Sequence, residues 1–147
     1  MTPKPSSQQG VVLLEALIGL LIFSLGVLAL VAMQAVSISN VSNARYRTEA
    51  AFLANEIISE IWIDRGAGYS NVLKYAVSGG STGGAPGAER WVAKVKSLLP
   101  GSDTFPPEVA IDNPAAGGRQ VTVTLRWKAP DAVTPSNHVA VAFISEP

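Results

Sequence analysis

The sequence has no cysteine and a single histidine, His138. Without cysteine there is no disulfide framework, no thiolate metal site and no cysteine nucleophile, and one histidine removes most zinc and catalytic-triad chemistry as well. Charge is sparse too: 15% of residues are Asp, Glu, Lys or Arg, where a soluble domain usually carries about a quarter. Basic and acidic side chains balance at 11 each. No electrostatic footprint for nucleic acid or an acidic polymer is present, so a dedicated DNA binder is not expected. What remains is a chain of 147 residues, the length of one domain, in which 48% of residues are hydrophobic and the mean hydropathy is positive at +0.28. That apolar excess is more than one compact core of this size calls for.

The excess is concentrated near the N-terminus. From Val11 to Met33 the only charge is Glu15, and the apolar run continues to Val36. As a helix rising about 1.5 Å per residue, the Val11 to Met33 stretch is roughly 34 Å long, enough to cross a hydrocarbon core of about 30 Å. A secretory signal peptide has a shorter apolar region, of about 7 to 15 residues, closed by a small-x-small cleavage site. Here Ala29, Ala32 and Ala35 fall three apart, so no Ala-x-Ala ends the run. The sequence predicts an uncleaved transmembrane helix. Positive charges flanking it are nearly tied, with Lys4 before and Arg45 and Arg47 well after. The short polar stretch from Met1 to Gly10 breaks the tie as a cytoplasmic stub, which places everything after the span outside the cytoplasm.

Glu15 is the anomaly of this run. A carboxylate at mid-membrane costs about 2.5 to 3.5 kcal/mol on insertion scales, so it is retained for a use or reaches back to the interface. A cut after Gly10 would create an ammonium on Val11, four residues before Glu15 and on the same side of a helix. A carboxylate there also suits the positive end of the helix dipole.

The pattern Gly10, two apolar residues, Leu13, Leu14, Glu15, set after a short polar leader and before an unbroken apolar helix, resembles the class III signal of type IV pilins and pseudopilins. The resemblance implies cleavage after Gly10 by a membrane prepilin peptidase, N-methylation of Val11, and a helix from Val11 to Val36 that serves as membrane anchor and filament core. Glu15 would neutralise a terminal amine during assembly. The first mature residue of the family is usually Phe and here is Val11. Major pilins often carry a proline in the apolar helix, and this chain has none between Pro5 and Pro86, which points to a minor subunit.

Past Val36 the polarity rises through Ser37 to Asn43, a soft boundary through which the helix is expected to continue. Val41, Ala44, Thr48, Ala51, Ala54, Ile58 and Ile61 recur at steps of three and four, the stripe of a helix packed on a globular body. Gly66 and Gly68 supply the expected stop, for an element on the order of 80 Å. The Ser78 to Gly87 segment, rich in Gly and Ser, reads as a mobile surface loop without phosphate-loop spacing. Glu89 to Leu99 reads as a short helix with Trp91, Val92, Val95, Leu98 and Leu99 inward, although Trp91, Ala93 and Val95 also alternate as a strand would. Val121, Val123, Leu125 and Trp127 alternate with Thr122, Thr124 and Arg126 as a half-buried strand. Val139 to Ile144 reads as a second strand buried on both faces, and Glu108 to Asp112 as a third. With turns at Gly117-Gly118 and Pro130 to Asn137, an antiparallel meander follows.

The expected fold class is therefore α+β: a leader over residues 1–10, an apolar helix over 11–36, its amphipathic continuation over 37–65 and a globular region over 66–147 lying on a small antiparallel sheet. The segments Ala50 to Ala54, Trp91 with Leu99-Pro100-Gly101, and Val121 to Trp127 resemble the PilV-type subgroup of minor pilins. Asp64, Asp103, Asp112 and Asp131 fall among turns at no ligand-like spacing, and His138 stands at the entrance to the last strand. No catalytic residue, metal or cofactor is expected.

The resemblance implies a structural protein, a minor pilin made as a single-pass inner-membrane precursor with a periplasmic domain. It would work at pilus initiation or the tip and end at the cell surface. Its partners would be the prepilin peptidase and other major and minor pilins, without nucleic acid. Two alternatives share parts of this reading: a minor pseudopilin of a type II secretion system, and a bitopic membrane protein with a periplasmic binding domain and no assembly role.

Overall fold

The computed structural model describes residues 9–67, 69–115, 117–130 and 132–145. Residues 1–8 of the expected leader, Gly68 and Asp131 lie outside the described residues. One helix, α1, occupies Gln9–Asp64 and continues without interruption through the polar Ser37 to Asn43 stretch. The chain nevertheless divides into two compact units inside α1, between Val41 and Ser42.

In the first unit α1 has no packing partner among the described residues. Every residue from Val11 to Ile38 is exposed, and the stretch is long and apolar enough to cross a membrane.

In the second unit the remainder of α1 carries one buried stripe. It keeps Ala54 and Ile61 of the expected stripe, with Ile58 packed against the core, but is otherwise rotated from it. Ala50, Leu53, Ala54, Ile57 and Ile61 are fully buried, whereas Val41 is 68% exposed and Ala44 and Thr48 face outward. Both sets obey the three-four spacing of a helix face, so spacing could not choose between them. Burying Leu53 and Ile57 hides more apolar surface than burying Thr48 and Ala51, and that decides the rotation. The helix also ends differently from expectation. Gly66 takes no left-handed φ; instead the chain tightens into 3-10 turns over Arg65–Ala67 and Tyr69–Tyr75, a common way to close a helix.

The Gly/Ser-rich segment is not a loose loop. It forms a hairpin of β1 (Val77–Ser78) and β2 (Ser81–Thr82), and both central residues, Gly79 and Gly80, have positive φ at 60° and 85°. That pair matches the two-residue turn whose twist suits a hairpin, which side-chain-bearing residues adopt only at a cost. Next comes α2 (Pro86–Leu98), starting three residues before the expected Glu89 because Pro86 occupies the first turn, where its missing N–H costs nothing. The strand alternative for this segment is not adopted. Trp91, Val92, Val95 and Leu99 are buried as expected, and Leu98 is 37% exposed.

Strands β3 (Glu108–Ala115), β4 (Gly118–Trp127) and β5 (Ser136–Ser145) form the expected antiparallel meander. With the hairpin they make a five-stranded sheet in the order β2-β1-β3-β4-β5. On β4, Val121, Val123, Leu125 and Trp127 are buried and alternate with half-buried Thr122, Thr124 and Arg126. They join Val109 and Ile144 in one core with the α1 stripe and the inner face of α2. Strand β5 departs from its expected burial on both faces. Val139, Val141 and Phe143 are 49%, 60% and 51% exposed, because β5 lies at the sheet edge and no layer among the described residues covers its outer face. Phe143 does cover Gly118 diagonally across the pair; a Cβ there would stand 2.2 Å from its ring, so a side chain at this position would displace the ring.

Candidate functional site

The first unit carries the chemistry that the sequence singled out. Seventeen large apolar side chains from Val11 to Val36 are each at least 42% exposed. Transferring them out of water is favourable by roughly 25 to 50 kcal/mol at 1.5 to 3 kcal/mol per side chain. A single carboxylate costing about 3 kcal/mol does not prevent this helix from entering a membrane. Patches this large mark surfaces meant for lipid or protein. Polar backbone groups are satisfied within the helix, and the one hydroxyl in the run follows suit: Ser24 Oγ donates to the Leu20 carbonyl at 2.7 Å, a bond that stands in for water.

Gly10 lies in the first turns of α1 and Val11, 65% exposed, directly follows it. Glu15 is exposed on the same helix, four residues and about 6 Å of axial rise beyond Val11. No acidic residue lies in the first turn of α1, and dipole stabilisation falls off within that turn. In this helix, which begins at Gln9, Glu15 lies beyond that turn. Gly10, Val11 and Glu15 are brought together by helical spacing alone.

The second unit holds the polar contacts that seat α1 against α2. The indole Nε1 of Trp91 donates to the Leu53 carbonyl at 2.8 Å in the core. Lys94 bridges to Glu56 at 2.8 Å and Arg90 to Glu60 at 3.2 Å, and Lys94 also lies 5.3 Å from the Phe52 ring centre. At the end of α1 the buried Tyr75 hydroxyl donates to the Asp64 carboxylate. Burial pushes the Tyr75 hydroxyl well above the ordinary tyrosine range, and the bond to Asp64 adds to the rise. Arg65 donates to the Ser145 carbonyl at 2.8 Å and stacks 4.5 Å over Trp62, joining the helix end to β5.

Two of the scattered carboxylates make such local contacts. Asp64 accepts from Tyr75, Asp103 pairs with Lys96 at 3.6 Å, and Asp112 is exposed on β3 opposite Gln120. His138 is half-buried opposite Leu125. Among the described residues no group of three or more His, Asp or Glu could hold a metal ion. An open groove of about 370 Å³ runs along α1 past Phe52, Glu56, Ser59 and Ile63, and a smaller recess of about 220 Å³ lies at Asp64, Lys74 and Tyr75.

Sequence reading did not find the Tyr75–Asp64 pair or the Trp91–Leu53 bond, because both join residues distant in sequence with no motif between them. A Trp in the short helix was the one available signal, since a buried indole N–H needs an acceptor. Comparison of the chain with protein-family models, with curated proteins and with solved structures found no match.

Proposed function

We propose that this protein is a minor pilin of a type IV pilus, a structural subunit of the initiation or tip complex. Its precursor sits in the inner membrane with the α+β region in the periplasm. Prepilin peptidase cuts after Gly10, the new amine of Val11 is methylated, and the apolar helix leaves the bilayer to lie among the helices of other major and minor pilins. The observation that carries this reading is Glu15, the only charge among residues 11–36, on a helix surface otherwise apolar and exposed. Inside a helical bundle an unpaired carboxylate is a large penalty. A terminal amine, its own or a neighbour's, is the group that removes it.

The experiment is Glu15→Ala in the native host. Insertion and cleavage are expected to continue at the normal level, while incorporation into filaments falls by at least about tenfold, the effect of roughly 1.4 kcal/mol of lost pairing. Normal incorporation of the variant would overturn the role given to Glu15. The same physics serves a minor pseudopilin of a type II secretion system; loss of secretion with intact pili would assign the protein to that machine instead.

A further inference from the structure

The first charges after Glu15 are two arginines. From Ala16 to Ala44 the chain carries no charged side chain, and Arg45 and Arg47 then stand one residue apart. Both are exposed on α1. The cations of α2 are engaged, Arg90 with Glu60 and Lys94 with Glu56. Among the described residues Arg45 and Arg47 make no ion pair, and Glu49, the nearest carboxylate in the sequence, pairs with neither. Two uncommitted guanidinium groups directly beyond a long apolar surface call for an anion at that level of the helix.

We propose that Arg45 and Arg47 bind the phosphates of anionic lipid headgroups at the membrane surface. This rests on the reading of residues 11–36 as a membrane span and holds whichever way the helix points. Ser37, Ser39, Asn40, Ser42 and Asn43 are polar and uncharged, so the hydrocarbon ends near Val36 and the headgroup layer, about 5 to 8 Å deep on each side, begins there. Arg45 lies nine residues past Val36, about 14 Å along a helix. Helical side chains lean toward the N-terminus, which here is the membrane, and the long arginine side chain closes the remaining distance. Arg47 stands about 3 Å further and on the other side of the helix; lipid surrounds a single span, so both sides meet phosphate. A guanidinium binds phosphate through two parallel hydrogen bonds. The phosphate of a zwitterionic lipid is already matched by its own ammonium, so the favoured partner is a lipid of net negative charge.

The test offers equal amounts of phosphatidylglycerol and phosphatidylcholine to the full-length protein in detergent micelles and reads the retained lipids by native mass spectrometry. Each cation near an anionic surface is worth about fivefold in binding, so a preference of about tenfold or more for phosphatidylglycerol is expected. Arg45→Gln combined with Arg47→Gln should bring the ratio to within about twofold of one, whereas Lys at both positions should keep most of the preference. Lys74→Gln combined with Lys128→Gln removes two exposed cations further along the chain and should leave the ratio as in the parent. An unchanged preference in the arginine-to-Gln pair, or an equal loss from the lysine-to-Gln pair, would overturn the proposal. Flotation with phosphatidylcholine vesicles after an alkaline wash separates this from the reading beneath it. A protein that does not float contradicts the membrane span itself, while one that floats and shows no lipid preference contradicts only the arginine site.

Discussion

The two halves of α1 are one helix by backbone and two different objects by surface. Over residues 11–38 every side chain is exposed and nearly all are apolar. From Ala50 to Ile61 five apolar positions are buried and Asn55, Glu56, Ser59 and Glu60 occupy other faces. A helix that is apolar all round needs an apolar surrounding on every side, whereas an amphipathic one needs a single neighbour. The second half has that neighbour in its own chain. The first half has none among the described residues.

Substitutions in the two halves should separate these tasks. Leu53→Ala or Ile57→Ala, each fully buried, should lower the stability of the globular unit by about 2 to 5 kcal/mol. Leu21→Ala, 61% exposed, should leave the same urea-unfolding midpoint in detergent unchanged. Comparable losses at Leu21 and Leu53 would break the distinction. Trp91→Phe keeps most of the packing and removes the donor to the Leu53 carbonyl, and should cost about 1 to 3 kcal/mol by the same measurement.

Tyr75→Phe is expected to cost about 1 kcal/mol at neutral pH and to change the alkaline limb of the stability curve. The folded state holds the Tyr75 proton more tightly than the unfolded chain does. Its contribution is therefore complete below about pH 10, the ordinary tyrosine value, and is lost as the pH rises above it. The variant should lose less stability than the parent as the pH rises above about 10. Arg90→Ala removes a bridge whose Arg side chain is 79% exposed, and should shift stability by less than about 1 kcal/mol.

The contrast between the halves was legible in the sequence because an unbroken apolar run and a three-four stripe differ in kind. The same is true of β4, where Val121, Val123, Leu125 and Trp127 alternate without ambiguity. The rotation of α1 was not legible, since Ala51 and Ile57 lie on different faces that both fit helical spacing. Only α2 and the sheet decide between them. Burial of β5 was misjudged for a related reason: Val139 to Ile144 is apolar on both faces, and local pattern does not say that a strand is last in its sheet. Glycines 79 and 80 read as flexibility when their positive φ angles serve a fixed turn. At the candidate site, Gly10, Val11 and Glu15 were visible because their relation is one of helical spacing alone. The Tyr75–Asp64 contact was invisible because it is made by folding.

The central claim is that the charge at Glu15 is matched to an amine that exists only after a cut behind Gly10. Intact-mass and fragment mass spectrometry of the protein extracted from host membranes tests it directly. The account predicts a chain beginning at N-methylated Val11, while a chain retaining residues 1–10 ahead of Val11 would contradict it.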